Sequence, residues 1–566
     1  MRQLAQKNIK RRWVWLLLAL VVAARLSIAL SQRIYLLPQQ SGLDDMLMLR
    51  AAYSLTEGGW LGPYTGFAIA KNMGFALWLA LLHALGIPLL VGNALLWLFC
   101  CAFAVWALRP VLPGNLMRLC VFAFFAFQPV SFAGFTQRVY RDSIFPALSL
   151  LFFAGVLGLG LRLSQPRARG SVVAALGAGL GLAAAWLVRE DGLLLLVFAL
   201  CGLAAIGVFA LFSRQTRRRL VKLACALLPF AVLLAGIAGF GAANKAKYGV
   251  FVVSDLTSGS FSAAYGAMAA VSLAESGYTR YTPVTRAALE KLYAEAPSLA
   301  LLRPSLASGP AYNGFANLAT GEYGGSFYYA LRLAATYEGL TPTAPAAQLY
   351  WARVEAEIQS AVAEGRLQSE KPNASTVPAF SAQLASPAAL ETGKGFLAVL
   401  TLQNCDPRPA ISQGDAADIL AAENYLHSSV QYAYEEGSDL PYYNPFQKLC
   451  FLLCDVLIWL YRILLWPLLA LALFLLGWGL ARDIRRAFSQ KCLPPQLLGA
   501  VLLLGLLLSF LLRLAVTAYM EVAAFGIGTS LMYLSAGVPA LLLFCAAAPF
   551  ALGGEKAADP ERRENF

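Results

Sequence analysis

The sequence predicts an all-α polytopic membrane protein, with about ten transmembrane helices and a mostly helical domain outside the bilayer. Three observations predict it. Of the 566 residues, 59% are hydrophobic and only 13% charged, with a mean hydropathy of +0.62; a soluble domain carries about twice that charge fraction. The apolar residues gather into runs of about 18 or more, the length that crosses roughly 30 Å of hydrocarbon. Basic residues fill alternate loops, as they do on the cytoplasmic side of membrane proteins.

In chain order, MRQLAQKNIKRR precedes the apolar run WVWLLLALVVAARLSIAL. No small-residue cleavage site follows it cleanly, so it reads as a retained first helix at 13–31, entering from the cytoplasm. Segment 32–72 is polar and rich in Gly and Tyr. Segment 73–87 is apolar but short, fitting a membrane-surface or re-entrant helix. Spans are expected at 89–108, 115–133, 143–162, 171–188, 193–212 and 223–242, and again at 459–480, 495–515 and 529–550. The chain thus divides into a transmembrane core at 1–243 with its first outer loop at 32–72, an extracytoplasmic domain at 244–446, C-terminal transmembrane helices at 447–551 and a tail at 552–566. Segment 447–480 is too long for one crossing; its first half is expected to lie on the outer surface, anchored by Trp459 and Tyr461.

The topology follows from the basic residues. Arg109 and Arg118; Arg162, Arg167 and Arg169; Arg214, Arg217, Arg218, Arg219 and Lys222; and Arg482, Arg485, Arg486 and Lys491 fall on the side of the basic N-terminus, with Lys556, Arg562 and Arg563 of the tail. Both termini are therefore expected in the cytoplasm and the protein in the inner or plasma membrane. The net charge of +13 is accounted for by these loops and does not imply nucleic acid.

Segment 244–446 carries 18 acidic and 12 basic residues. TRAALEKLYAEA and AQLYWARVEAEIQSAVAEG have helical apolar spacing. NKAKYGVFVVSDLTSGSFSAAYGAM suggests a strand and turn. Six cysteines (Cys100, Cys101, Cys120, Cys201, Cys225 and Cys545) lie in apolar spans, where they act as small hydrophobes. Cys492 borders a cytoplasmic loop. Cys405, Cys450 and Cys454 lie at or near the outer face, where a bond from Cys405 to one of the others is open. The two histidines, His83 and His427, exclude a His-rich metal site.

Ionisable residues at membrane level are costly and carry a functional expectation. Here they fall in outer loops: Asp44 and Asp45 in SGLDDMLMLRAAY, Lys71 in IAKNMGF, Arg138, Arg141 and Asp142 in TQRVYRDSIF, Arg189, Glu190 and Asp191 in WLVREDGLLL, and Glu521 in TAYMEVAAF. Plainer readings exist. Asp44 and Asp45 would cap a helix beginning at Met46; Arg141 and Asp142 would pair locally; Arg189 and Glu190 would be interfacial charges. Trp60, Tyr64 and Phe67 fit an interfacial aromatic belt, or a wall on which a sugar stacks.

A first helix followed by an outer loop with an acidic pair resembles the GT-C superfamily of membrane glycosyltransferases, which includes protein mannosyltransferases and lipid A aminoarabinose transferases. LDDMLMLRAAYSLTEGGWLGPYTGFAIAKNMGFALWLALLHALG is similar to the family's first loop, RVYRDS to its acid before the fourth helix, and GLAAAWLVREDGLLLL to its fifth-to-sixth helix turn. The resemblance covers about 10–215. It departs in having Asp-Asp where many members have Asp-Glu, Asn72-Met73 where Pro-Pro often follows the lysine, and Met532-Tyr533 in place of a late Arg-Tyr, which leaves no arginine expected from the last helices.

The resemblance implies an inverting glycosyltransferase that moves a sugar from a polyprenyl-phosphate donor to an extracytoplasmic glycan, lipid or protein acceptor. It implies Asp44 or Asp45 as general base, with Asp142 stabilising the oxocarbenium-like sugar or orienting the acceptor. Lys71, Arg138, Arg141 and Arg189 would hold the leaving phosphate, with Glu190 and Glu521 completing the substrate-binding set. A divalent cation between the acids is left open. The alternatives are a transporter or flippase for a lipid-linked saccharide and a non-catalytic scaffold with an outer binding domain.

Overall fold

The computed structural model describes residues 10–38, 42–213, 216–370, 380–432, 443–490, 493–526, 528 and 530–552. Arg214, Lys491, Cys492, the first nine residues and the tail from 553 lie outside them. The first helix, α1 (Arg11–Ser31), follows the expected span. Two short helices come next, α2 (Asp45–Thr56) and α3 (Gly74–Ala84). At 11 residues, α3 is too short to cross hydrocarbon.

The bundle continues with α4 (Leu89–Leu108), α5 (Gly114–Ala126), α6 (Phe145–Leu161), α7 (Arg169–Val188), α8 (Gly192–Phe212) and α9 (Arg219–Tyr248). Eight helices of the described chain are long and apolar enough to span a membrane, and nine if α5 is joined to the turns at 129–137. Those two pieces are bent by 54°, so the span expected at 115–133 is broken near its end. Pro129 explains the break: its ring removes a donor and clashes with the preceding turn. The Gln128 side chain accepts from Val130 N at 2.5 Å and caps the new turn. The 17-residue α6 occupies the remaining expected span, 143–162. At about 1.5 Å per residue it reaches roughly 25 Å, and it is buried on nearly every side.

The α6–α7 contact explains the small residues of the sequence AALGAGLGLAAAW. A Cβ on Gly155 would stand 2.4 Å from Ala178 N, and one on Gly181 2.5 Å from Phe152 N. Both are backbone atoms, so these helices approach as closely as glycine permits. Apolar side chains gain little from leaving lipid, and close backbone packing is what holds such helices together.

Beyond α9 the expected strand is absent: residues 249–259 form turns, then α10 (Ser260–Ser276), α11 (Arg286–Glu295), α12 (Phe327–Tyr337) and α13 (Ala344–Ala363) surround their own core of Phe261, Tyr265, Leu292, Phe327 and Trp351. A strand would have left backbone groups unpaired, since no partner strand lies among the described residues; only isolated bridges occur. Next come α14 (Ala385–Leu400) and α15 (Ala416–Tyr425). Here Leu400, Leu402, Ile419 and Tyr425 join the core of the membrane helices instead. Segment 244–446 is thus helical but packs in two places.

The last helices are α16 (Pro445–Gln490), α17 (Pro495–Met520) and α18 (Val538–Ala551). At 46 residues α16 is one continuous helix, about 69 Å long at roughly 1.5 Å per residue, rather than a surface helix followed by a span. Tyr461 is not an interfacial anchor: it is buried, and its hydroxyl donates to the Phe124 carbonyl. Trp459 remains exposed. All the cysteines described in this structure are free, Cys405, Cys450 and Cys454 among them.

If close packing of α6 on α7 holds the bundle, Gly155→Leu and Gly181→Leu each abolish the monodisperse peak of the detergent-solubilised protein in size-exclusion chromatography. Gly239→Leu, where an added Cβ meets nothing within 4 Å, leaves it unchanged.

Candidate functional site

Residues 34–36 set the first wall of the site. Ile34 N donates to Ser429 O at 2.9 Å and Gln431 N to Ile34 O at 2.7 Å, while on the other side Tyr35 N donates to Gln137 O and Val139 N to Tyr35 O, both at 3.2 Å. The first loop is thereby held between the loop of Arg138 and the segment after α15. This brings Leu37 N to Asp45 Oδ2 at 2.9 Å, and α2 begins at Asp45.

Asp44 and Asp45 do not cap α2; the N-cap side chain makes no capping hydrogen bond. Their carboxylates have stronger partners. Asp45 receives Arg138 Nε at 3.1 Å and faces Nη2 at 2.6 Å, a two-point contact. Asp44 pairs with Lys71 and lies 3.6 Å from Arg138 Nη2. The two acids differ in access: the Asp44 side chain is 26% exposed, that of Asp45 0%.

Most of the remaining pairs cross between loops. Arg141 Nη1 reaches both oxygens of Glu190, at 3.0 and 2.8 Å. Arg189 pairs with Asp142 and, through Nη2, with Asp191 at 2.6 Å. The sequence neighbours Arg141 and Asp142 therefore serve different partners on the loop after α7, and the local pair does not form. Asn72 N donates to Glu190 Oε1 at 2.9 Å, joining the Lys71 segment to the same cluster. From α17, Arg513 Nη1 meets Asp191 at 2.7 Å, and its Nε and Nη2 donate to Tyr533 O at 3.0 and 2.7 Å. The last helices thus do contribute an arginine. Five carboxylates (Asp44, Asp45, Asp142, Glu190, Asp191) and five cations (Lys71, Arg138, Arg141, Arg189, Arg513) share one contiguous cluster.

Charge and burial act differently on each acid. Burial pulls Asp44 upward, but the Lys71 ammonium with Arg141 and Arg138 outweighs it and holds the carboxyl below its ordinary value. Asp45 is pushed up to about 6 by burial, which Arg138 only partly offsets. Burial likewise raises Asp142 against the pull of Arg189. Glu190 is desolvated but held low by Arg141 and the Asn72 amide. Asp142 Oδ2 is buried with no hydrogen-bond partner, so one acceptor of the cluster is unused.

The outer helices close over this cluster. The Tyr329 ring of α12 lies 5.0 Å from Lys71 Nζ, a cation–π contact, and Tyr328 packs beside it with centroids 4.0 Å apart. One turn on, Arg332 Nε donates to Gly66 O at 2.7 Å and Nη2 to Asp255 Oδ2 at 3.0 Å. Asp255 N donates in turn to Ile69 O at 2.9 Å. These bonds fix the strip that carries Lys71. Trp60, Tyr64 and Phe67 pack into this junction: Trp60 Nε1 donates to Asn244 Oδ1 at 2.9 Å, and the three rings pack on Phe240, Tyr248 and Tyr329.

Glu521 is not brought in. It opens a π-turn at the end of α17, and its carboxylate accepts from Gly528 N at 2.5 Å; no ion pair among the described residues joins it to the cluster. Arg513, Tyr328, Tyr329 and Asn72 are members that the candidate set lacked, while the sequence reads Asp191 only as a loop charge without a role. Arg513 had a readable signal as a lone charge within the apolar run LLLSFLLRLAVTAYM. The tyrosines had none, because distant chain brings them in. A divalent cation does not fit: each acid of the cluster is already matched by a cation, and no group of three ligating side chains converges among the described residues.

No family model matches the chain, nor does any curated protein by sequence. Among solved structures, it is similar to the crystal structure of ArnT from Cupriavidus metallidurans bound to undecaprenyl phosphate. The match has 12% identity and a TM-score of 0.26, covering 90% of this chain and 78% of that one.

Two measurements check this geometry. Arg189→Met leaves Asp142 and Asp191 short of a buried partner and is expected to cost about 3–5 kcal/mol in denaturant unfolding; Arg189→Met combined with Asp142→Asn recovers part of that loss. Asp45 binds its proton more tightly folded than unfolded, so its ionisation weakens the fold as pH rises through about 6. The melting temperature of Asp45→Asn relative to wild type is therefore expected to climb between pH 4.5 and pH 7; a constant difference contradicts it.

Proposed function

We propose that the chain is an inverting glycosyltransferase that moves a sugar from a polyprenyl-phosphate donor to an acceptor on the extracytoplasmic face of the inner or plasma membrane, with both termini in the cytoplasm. The observation that carries this reading is Asp44: a partly exposed carboxylate held in its charged form, set among five cations at the ends of membrane helices. A base must be ionised and reachable, and a leaving phosphate needs fixed cations in a water-poor site. Asp44 offers the first, and Lys71, Arg138, Arg141 and Arg189 the second. The fully buried Asp45 is better suited to orienting Arg138.

In the proposed step the acceptor hydroxyl attacks the anomeric carbon from the face opposite the phosphate. The new C–O bond takes the oxygen's electron pair, the proton passes to Asp44, and the sugar–phosphate bond breaks with its electrons on the phosphate. Lys71 and the arginines take up that charge. Asp142, with its free oxygen, faces the oxocarbenium-like sugar or receives the acceptor's hydrogen bond. Tyr328 and Tyr329 form the wall on the outer-domain side, and that domain binds or presents the glycan, lipid or protein acceptor.

A lipid-linked saccharide transporter would place such charges near the bilayer midplane between two similar halves. Their collection in loops at one end of the bundle favours the transferase.

The deciding experiment uses the full chain in proteoliposomes supplied with radiolabelled sugars on undecaprenyl phosphate. The double variant Asp44→Asn/Asp45→Asn is expected to lower glycosidic bond formation by about 10²–10⁴-fold while remaining in the membrane fraction. Undiminished transfer in that variant removes these acids from the chemistry, and movement of unaltered donor across the vesicle without bond formation favours the transporter.

A further inference from the structure

A second buried charge stands apart from the ion-pair cluster. Arg25 lies within α1 and is 3% exposed. Its Nη2 donates to Ser131 O at 2.8 Å and its guanidinium sits 5.9 Å from the Phe132 ring. Nε and Nη1 are buried with no hydrogen-bond partner. No carboxylate pairs with it among the described residues. Each cation of the cluster above has an acid; this one has none.

Beside it lies a cavity of about 20 Å³ whose polar lining is Arg25, Gln32, Asn93, Ser131, Thr136 and Ser143. The Ser143 hydroxyl is also buried without a partner. A space of that measure takes one particle of about the size of a water. A bare halide is the anion closest to that size. Water would satisfy the orphaned N–H groups but leave the guanidinium charge uncompensated in a low-dielectric surrounding, where an unpaired charge is costly. A small anion satisfies both.

We propose that this cavity is a binding site for a single small inorganic monoanion of the halide class, held by Arg25 and the hydroxyl of Ser143. The site links α1 to the loop of the ion-pair cluster, because Thr136 stands two residues before Arg138 and Ser143 directly follows Asp142. Bound anion therefore stiffens that loop from behind. The inference does not rest on the transferase reading.

The test uses the full chain in detergent, with sodium chloride exchanged for sodium gluconate at constant ionic strength. Wild type is expected to show a saturable upward shift in Tm with chloride and protein-dependent broadening of the ³⁵Cl NMR line. Bromide reproduces the shift and sulfate does not. Arg25→Gln loses both signals. Should that variant fail to fold, Ala29→Leu fills the cavity from α1 while keeping Arg25, and it too loses the broadening. Equal Tm in chloride and gluconate, a shift equally produced by sulfate, or broadening that survives in either folded variant overturns the proposal.

Discussion

Everything at the charged end of this bundle depends on one constraint: charges withdrawn from water must find partners of opposite sign. Asp44, Asp45, Asp142, Glu190 and Asp191 are drawn together with Lys71, Arg138, Arg141, Arg189 and Arg513, and apart from Arg189–Asp191 the pairs run between chain segments rather than along them. Each of those pairs is a cross-link. Arg138 fastens the second loop to α2, Arg141 and Asp142 fasten it to the loop after α7, and Arg513 ties that loop to α17. The loops have defined shapes because separating any pair would strand a charge in a poor solvent.

The same constraint is met in other ways elsewhere. Arg162 and Lys222, which topology alone would treat as loop charges, are buried. Arg162 donates to the carbonyls of Trp106, Ala107 and Gly158, and Lys222 to Arg162 O and Ser171 Oγ. They place positive charge on carbonyls freed at helix C-termini, the favourable end of the helix dipole for a cation. These residues thus join helices at the far end of the bundle from the acid–base pairs.

The outer helices are part of the site rather than an appendage. Arg332 and Tyr329 are one turn apart on α12, so they share a face. One grips Gly66 and Asp255; the other covers Lys71. A Cβ on Gly66 would come 2.1 Å from Thr336 Oγ1, so a larger residue there would have to displace that hydroxyl from α12. The position of Lys71 is therefore set jointly by the first loop and by chain more than 250 residues away.

The sequence by itself determined the membrane class, most span boundaries, the helical nature of the outer segment and the loops in which charges would collect. Those features are written in local composition: an apolar run long enough to cross lipid has no cheaper place to go, and an ionisable residue at its edge is conspicuous. What only the tertiary structure decided was pairing. Asp44 and Asp45 could as well have capped α2, Arg141 could have paired with Asp142, and α16 could have broken where it continues. The choice among these turned on which cations arrived from α17 and which rings from α12, and on whether Tyr461 found the Phe124 carbonyl. Such partners lie tens to hundreds of residues away, and charge attraction acts through space, where sequence spacing carries no record of distance.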